Sequence, residues 1–257
     1  MNVIFIQIFN INMMKKIILI IGLIIGFQHK IISQQIYLIP KGGVSISSVK
    51  YVPAPFSTQL VEDYNYAKKG SIHSYTGGVG IEIGLMKKNI ISIQPEILYV
   101  RKGARIFHAA FNEDYQLNYL EIPLLLKFIY SIKKFKFFVN AGPSIGIGLD
   151  GKYKYLPSSN LSKPFDKDIE FTDHSSKVEF LILEKTDVSM NYGGGVGYKL
   201  GKLVVWLEGR YGKGSKETKC FYNYQTTGGV PKFPPDWTFY NRFITITMGI
   251  AIPLKNI

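Results

Sequence analysis

The feature that most constrains this chain is an alternation of apolar and polar residues that recurs in eight separate segments. In LVVWLEGRY (203–211), Leu203, Val205 and Leu207 share one side of an extended chain, whereas Glu208 and Arg210 share the other. Successive side chains of a β-strand point to opposite faces, so this period of two predicts strands rather than helices. The other seven segments lie at 36–47, 77–86, 90–100, 118–128, 135–149, 188–200 and 242–254.

The connections between these segments alternate strictly between short and long. The short ones lie near residues 87–89, 131–134 and 201–202. The long ones lie near residues 51–74, 103–117, 150–186 and 213–240. An even number of strands joined in this way is typical of outer-membrane proteins, which have short periplasmic turns and long extracellular loops. The sequence therefore predicts an all-β, eight-stranded, antiparallel, up-and-down transmembrane β-barrel of the outer-membrane type, with four long extracellular loops.

The composition of the two strand faces favours a membrane barrel over a soluble one. The apolar face is bulky and almost uncharged, as contact with lipid requires. The polar face is rich in glycine, which suits the crowded interior of an eight-stranded barrel. A soluble, lipocalin-type barrel is the alternative, but its solvated outer face would carry more charge and less glycine. Aromatic residues near the strand ends are expected to form interfacial girdles. They are Tyr99, Tyr119, Tyr192, Tyr198, Tyr211, Trp206 and Trp237.

A small set of charged residues of both signs shares the polar face. They are Glu82, Glu96, Glu121, Lys127, Lys136, Glu208 and Arg210. Isolated buried ions are costly, so side chains enclosed in a narrow barrel are expected to pair. The sequence predicts a lumenal ion-pair network that plugs the barrel and fixes its register. A proton or ion path through the same residues is the sharper alternative.

The amino-terminal segment has the layout of a secretory signal peptide. Lys15 and Lys16 precede an uninterrupted apolar run from 17 to 27, and Ser33 provides a small residue for cleavage. We predict a signal peptide over 1–33, with Met13 or Met14 as an alternative start, followed by an outer-membrane barrel domain over 34–257. An uncleaved membrane anchor is the alternative interpretation.

Three stretches resemble the outer-membrane β-barrel family known as PorT-like. They are YLEIPLLLKF (119–128), FFVNAGPSIGIGL (137–149) and YGGGVGYKLGKLVVWLEGRYGKG (192–214), followed by a short strand of similar type at 249–252. The resemblance spans roughly residues 36–254 and implies an eight-stranded barrel in the outer membrane of a Gram-negative bacterium. The best-studied member is linked to protein secretion across the outer membrane, whereas most members have no assigned activity.

No motif in the chain indicates catalysis. The patterns HExxH, CxxC, GxSxG and the phosphate-binding glycine loop are all missing. The closest approach to a reactive pair is Ser71 with His73 in a predicted loop. The net charge of +13 comes with no alternation of basic and aromatic residues, so no nucleic-acid partner is expected. We predict no catalytic residue, no cofactor and no metal site.

These observations leave two main functions open. The first is a non-enzymatic outer-membrane protein with a plugged lumen, whose extracellular loops bind a protein partner, within an envelope or protein-secretion assembly. The alternative is a transporter or small channel for a small or hydrophobic solute. A role in stabilising the outer membrane itself is a third, weaker option. In each case outer-membrane lipid is the surrounding partner.

Overall fold

The computed structural model describes residues 35–52, 68–86, 89–107, 111–158, 163–171, 181–183, 185–215, 218–222 and 237–256. The predicted signal peptide lies outside these ranges, as do parts of all four predicted long connections. Twelve β-strands occupy the described ranges. None of the residues so described belongs to a helix long and apolar enough to cross a membrane.

Eight long strands form the wall of the structure. They are β1 (Gln35–Val52), β3 (Ile72–Gly84), β4 (Ile91–Phe107), β5 (Phe111–Ile132), β6 (Phe135–Pro157), β9 (Thr186–Leu200), β10 (Leu203–Gly214) and β12 (Trp237–Asn256). Four short strands extend the sheet at the end of the barrel that carries the long connections. They are β2 (Lys68–Gly70), β7 (Phe165–Phe171), β8 (Leu181–Leu183) and β11 (Thr218–Tyr222).

The eight long strands close into a ring. Each pairs antiparallel with its neighbours in the order β1–β3–β4–β5–β6–β9–β10–β12, and β12 pairs back with β1. The closing register runs from Gln35 opposite Asn256 to Val52 opposite Thr238. Closure pairs the backbone groups that an open sheet edge would expose, and hydrocarbon requires this because it offers no hydrogen-bond partner. The predicted eight-stranded antiparallel barrel is confirmed.

The two faces of β5 show how the wall is built. Leu124 and Leu126 are 52% and 44% exposed on the outer face, whereas Leu125 between them is fully buried at 0%. Glu121 and Lys127, which have the same parity as Leu125, are each 2% exposed. The strand therefore turns aliphatic side chains outward and charged side chains inward, as expected of a strand that contacts lipid. Outward residues of the other long strands continue this apolar belt: Val79, Ile81, Ile97, Val139, Leu207, Ile246, Met248 and Ile250.

Most of the predicted long loop at 103–117 is instead strand, at 103–107 and 111–117. β4 runs to Phe107 and β5 starts at Phe111, so only residues 108–110 separate them. The prediction was wrong because the polarity of the strand faces reverses here. Ile106 and Leu117 point inward and are buried, whereas Arg105 is exposed on the outer face. The regular series of outward apolar residues therefore ends near Tyr99 in the sequence, although the strand continues.

We call this extension beyond the apolar belt the raised sheet; it comprises residues 103–107 of β4, 111–118 of β5, 150–157 of β6 and β7. Its inner face packs into an apolar cluster with Val49 of β1. The cluster consists of Val49, Ala104, Ile106, Tyr115, Leu117, Tyr119, Tyr153 and Ile169. Apolar-in and polar-out is the arrangement of a sheet in water, which places the raised sheet outside the hydrocarbon layer.

The predicted aromatic girdle is correct only in part. Tyr99, Tyr192, Tyr198 and Tyr211 are exposed on the outer face. Tyr119 and Trp206 are 0% and 4% exposed and face the interior, so their assignment to a girdle was wrong. Both have the same parity as a lumenal glutamate, at 121 and 208, and parity rather than nearness to a strand end decides which way they point. The side chain of Trp237 lies outside the described residues.

Candidate functional site

The centre of the barrel holds four charged side chains, which we call the central ion cluster: Lys41, Glu96, Glu208 and Arg210. Lys41 Nζ lies 2.6 Å from Glu96 Oε1 and 2.7 Å from Glu208 Oε2. Arg210 donates two hydrogen bonds to Glu96, with 2.6 Å between Nη1 and Oε2 and 3.1 Å between Nη2 and Oε1. It also contacts Glu208, with 2.6 Å between Nη2 and Oε1. The two positive and two negative charges balance.

The contact between Arg210 and Glu96 spans the barrel. Glu96 lies on β4 and Arg210 on β10, which are four strands apart in either direction around the ring of eight. Lys41 on β1 joins the same cluster from between them. The bidentate geometry fixes the relative positions of opposite walls, since a guanidinium and a carboxylate make two parallel hydrogen bonds in only one orientation.

Glycines on the neighbouring strands make room for these long side chains. A Cβ atom at Gly249 would lie 3.1 Å from Lys41 Cβ, and one at Gly80 would lie 3.1 Å from Glu96 Cγ. At Gly193 it would lie 3.3 Å from Arg210 Cβ. These distances are shorter than an ordinary carbon–carbon contact of about 3.5–4.0 Å. The glycine-rich inner face is therefore what allows four extended charged side chains to fit in an eight-stranded barrel.

A second ion pair lies toward the short turns. Lys127 Nζ lies 2.7 Å from Glu82 Oε2 and donates to Gln94 Oε1 at 3.1 Å. The same ammonium sits 4.2 Å from the ring centroids of both Phe138 and Trp206. A desolvated ammonium over aromatic faces gains electrostatic attraction in addition to its carboxylate partner. Gln94 also donates to Glu96, which links this pair to the central ion cluster.

A third cluster lies toward the raised sheet. Lys102 is fully buried and contacts both Glu121 and Asp187, with 2.7 Å from Nζ to Asp187 Oδ2. Asn241 Nδ2 donates to the same Asp187 oxygen at 2.9 Å, and Ser144 donates to Glu121. Lys102 on β4 thus connects the neighbouring β5, through Glu121, with the distant β9, through Asp187.

Six of the seven predicted lumenal residues take part in these ion pairs. They are Glu82, Glu96, Glu121, Lys127, Glu208 and Arg210. Lys136 differs: it is half-buried, its Nζ lies 5.8 Å from the ring centroid of Tyr37, and it forms no ion pair with any residue that the structure describes. Lys136 lies only one residue inside β6, near the short turn, where its side chain reaches partly out of the barrel.

Sequence reasoning missed three members of the network: Lys41, Lys102 and Asp187. Lys41 has the same parity as the polar side chains of β1, but that segment has a weak alternation. Lys102 has the same parity as Glu96 but follows the predicted end of its strand. Asp187 likewise precedes the predicted start of β9 with the parity of Ser189. Extending the predicted strands in register, by two residues to Lys102 and by one residue to Asp187, would have found the last two.

The network leaves little free space around the central ion cluster. A cavity of about 10 Å³ lies between Lys41, Lys127 and Glu208, against Phe138 and Trp206. A single water molecule needs roughly 10–15 Å³. This cavity therefore holds no more than about one water molecule.

The described residues offer little that would support catalysis. Ser71 and His73 are both exposed, Ser71 just before β3 and His73 at its start, at the end of the barrel that carries the long connections. In the part of the chain that the structure describes, no three His, Cys, Asp or Glu side chains group in a way that could hold a metal ion. The absence of enzyme activity, cofactor and metal stays a prediction.

Comparison with known proteins gives a family match. The model of the outer membrane protein beta-barrel domain matches residues 32–214, well over half of the chain. A comparison with curated protein sequences finds no match.

Three solved structures with a similar course of the chain are bacterial outer-membrane or surface proteins. OprG of Pseudomonas aeruginosa is 12% identical over 86% of this chain and 98% of that chain, with a TM-score of 0.47. Neisserial surface protein A is 12% identical over 84% and 97%, with a TM-score of 0.40. Ail of Yersinia pestis is 10% identical over 86% and 100%, with a TM-score of 0.34. Such low identities and TM-scores carry no information about a shared activity.

The central ion cluster generates a test of stability. Replacing Glu96→Gln leaves Lys41 and Arg210 to share Glu208 alone, so one buried positive charge is uncompensated. We expect the free energy of unfolding to fall by about 3–5 kcal/mol, the usual cost of breaking a buried ion pair from one side. Urea titration of the protein refolded in lipid vesicles measures this change.

Lys136→Gln is the matched control, because it also removes a predicted lumenal charge but breaks no ion pair described here. Its effect should stay below about 1 kcal/mol. Equal losses from the two substitutions would contradict the assigned role of the central ion cluster.

Proposed function

Because the chain belongs to the outer membrane protein beta-barrel domain family, and so resides in the outer membrane of a Gram-negative bacterium, we propose that it is a closed, non-enzymatic scaffold. Its barrel anchors the raised sheet and the neighbouring loops outside the membrane, where they bind a protein partner. The resemblance of residues 119–128, 137–149 and 192–214 to the PorT-like group supports a place within an envelope or protein-secretion assembly.

The single observation that carries this proposal is the cross-barrel contact between Arg210 and Glu96. A conducting channel of this size would need a continuous water path, and the three ion clusters stand in that path. Selective ion pores carry rings of charged side chains of one sign. The charged side chains of this lumen instead neutralise one another in pairs. The proposed activity, partner binding, therefore lies on the raised sheet and loops outside the membrane rather than in the lumen.

The raised sheet has the outer face of a water-exposed recognition surface. Charges of opposite sign alternate across its strands: Arg105 lies opposite Asp114, Asp114 opposite Lys154, and Lys154 opposite Asp166. The end pairs have nitrogen–oxygen distances of 3.4 Å for Arg105–Asp114 and 3.5 Å for Lys154–Asp166. Cross-strand pairs of opposite charge stabilise a sheet that projects into water.

The tip of the raised sheet adds apolar side chains beyond these charges. Phe107 and Leu156 both lie opposite Asn112, and they are 43% and 50% exposed. Phe107 and Leu156 lie well beyond the apolar belt, so contact with lipid does not explain why these apolar side chains are exposed. Exposed apolar side chains rimmed by charged ones are typical of protein interaction sites.

Planar-bilayer recording tests the closed barrel. We expect the purified protein to show no steady open state at low or high voltage, because the ion clusters obstruct the lumen. A conducting porin in the same membrane serves as the positive control. A steady, large conductance would contradict the scaffold and would favour the transporter or small-channel alternative.

In-cell crosslinking tests partner binding. A photoreactive residue placed at Asn112 should yield a discrete crosslinked protein, and Phe107→Ser combined with Leu156→Ser should reduce its yield severalfold. The same photoreactive residue at Leu207, which faces lipid, is the matched control and should capture no protein. A yield that is unchanged by the two serine substitutions, or no protein product at Asn112, would contradict the proposal.

A further inference from the structure

Four exposed lysines cluster at one sector of the rim formed by the short turns. Lys133 and Lys134 form the turn between β5 and β6, Lys199 lies at the end of β9, and Lys202 lies in the turn between β9 and β10. The two turns are adjacent, since the Lys199 backbone N–H donates to the Lys134 carbonyl at 2.8 Å. We call these four residues the lysine sector.

Among the residues that the structure describes, no exposed acidic side chain lies in the two turns or the adjoining strand ends that form the lysine sector. The sequence contains no Asp or Glu anywhere in 122–149 or 188–207, the two stretches that contain these turns and the adjoining halves of their strands. The acidic side chain that the structure places toward this rim, Glu82, is 2% exposed and paired with Lys127. Like charges on adjacent turns repel one another, and an anion that binds between them offsets that repulsion.

The lysine sector lies directly beside the apolar belt. Ile132, Phe135 and Leu203, which border the two turns on the outer face, are 47%, 48% and 39% exposed. Tyr198 is 37% exposed and packs edge-on against Phe135, with 5.1 Å between ring centroids. Aromatic side chains at this position mark the level of the lipid head groups. The ammonium groups of adjacent lysines therefore lie at head-group depth, where an anionic lipid can reach them.

We propose that the lysine sector binds the phosphate groups of anionic phospholipids in the periplasmic leaflet of the outer membrane. The short turns of such barrels face the periplasm. Clustered lysines at a membrane surface attract anionic head groups, with each basic residue adding about 1 kcal/mol. A soluble acidic partner would not need the lysines to sit against lipid-facing aromatic residues. This proposal is independent of the partner-binding surface at the opposite end.

Native mass spectrometry of the full chain in detergent tests the proposal, with phosphatidylglycerol, cardiolipin and phosphatidylethanolamine as probes. The protein should retain the two anionic lipids in preference to the zwitterionic one. A variant carrying Lys133→Asn, Lys134→Gln, Lys199→Gln and Lys202→Gln should bind them roughly tenfold more weakly or worse. Asparagine is chosen at Lys133 because φ there is 53°, a left-handed conformation that asparagine tolerates.

The matched control removes four exposed lysines from the opposite end: Lys152→Gln, Lys163→Gln, Lys167→Gln and Lys185→Gln. It changes the net charge equally and should leave lipid retention as in the unmodified protein. Heat-modifiable migration on a gel confirms that each variant is folded. If the fourfold rim variant does not fold, Lys134→Gln with Lys199→Gln replaces it.

Several outcomes would overturn the proposal. They are equal retention of phosphatidylethanolamine, unchanged retention by the rim variant, and an equal loss in the control variant. Binding of inorganic phosphate as tight as that of phosphatidylglycerol would also overturn it, because the site would then serve the free ion rather than a lipid head group.

Discussion

The contact between Arg210 and Glu96 is the interaction on which the rest of this structure depends. A buried guanidinium and a buried carboxylate are each costly in a medium of low dielectric constant, and only a close, bidentate partner offsets that cost. The two residues lie on opposite walls, so the barrel must be narrow enough for them to meet. Eight strands give that width. The neighbouring glycines then follow, because a Cβ atom at Gly80, Gly193 or Gly249 would crowd the charged side chains.

The surroundings of each segment decide the polarity of its faces. Within the apolar belt, outward residues such as Leu124 meet hydrocarbon, and inward residues such as Glu121 meet other polar side chains. In the raised sheet the same strands turn Leu117 inward and Arg105 outward, as in a soluble sheet. Strand parity continues without interruption through both regions. The reversal of side-chain polarity along β4 and β5 thus indicates where these strands leave the membrane.

The sequence was sufficient to predict the eight long strands, their alternating direction and the inward face that carries Glu96 and Arg210. All of these follow from parity, which is a local property. The ends of the strands did not follow, because the reversal of polarity beyond Tyr99 hides the continuation of β4 and β5. Lys102 was missed for this reason, whereas Asp187 was missed because it precedes the predicted start of β9.

Partner choice inside the lumen was also beyond the sequence. Residues 96 and 210 are distant in the chain, and residue type alone does not distinguish Lys127, which pairs with Glu82, from Lys136, which pairs with none of the described residues. Tyr119 and Trp206 show the same limit: their parity places them inside, whereas their residue type is typical of the membrane interface. Which charges meet depends on the stagger of the whole ring, and that is fixed only once β12 pairs with β1.

A double-mutant cycle on Glu96 and Arg210 tests the central claim most directly. The free energy of unfolding in lipid vesicles is measured for the unmodified protein, for Glu96→Gln, for Arg210→Gln and for the double variant. Two residues that hold opposite walls together should show a coupling energy of about 1–3 kcal/mol. Effects that add to within about 0.5 kcal/mol would show that the two residues act independently, and would contradict a barrel held closed by this contact.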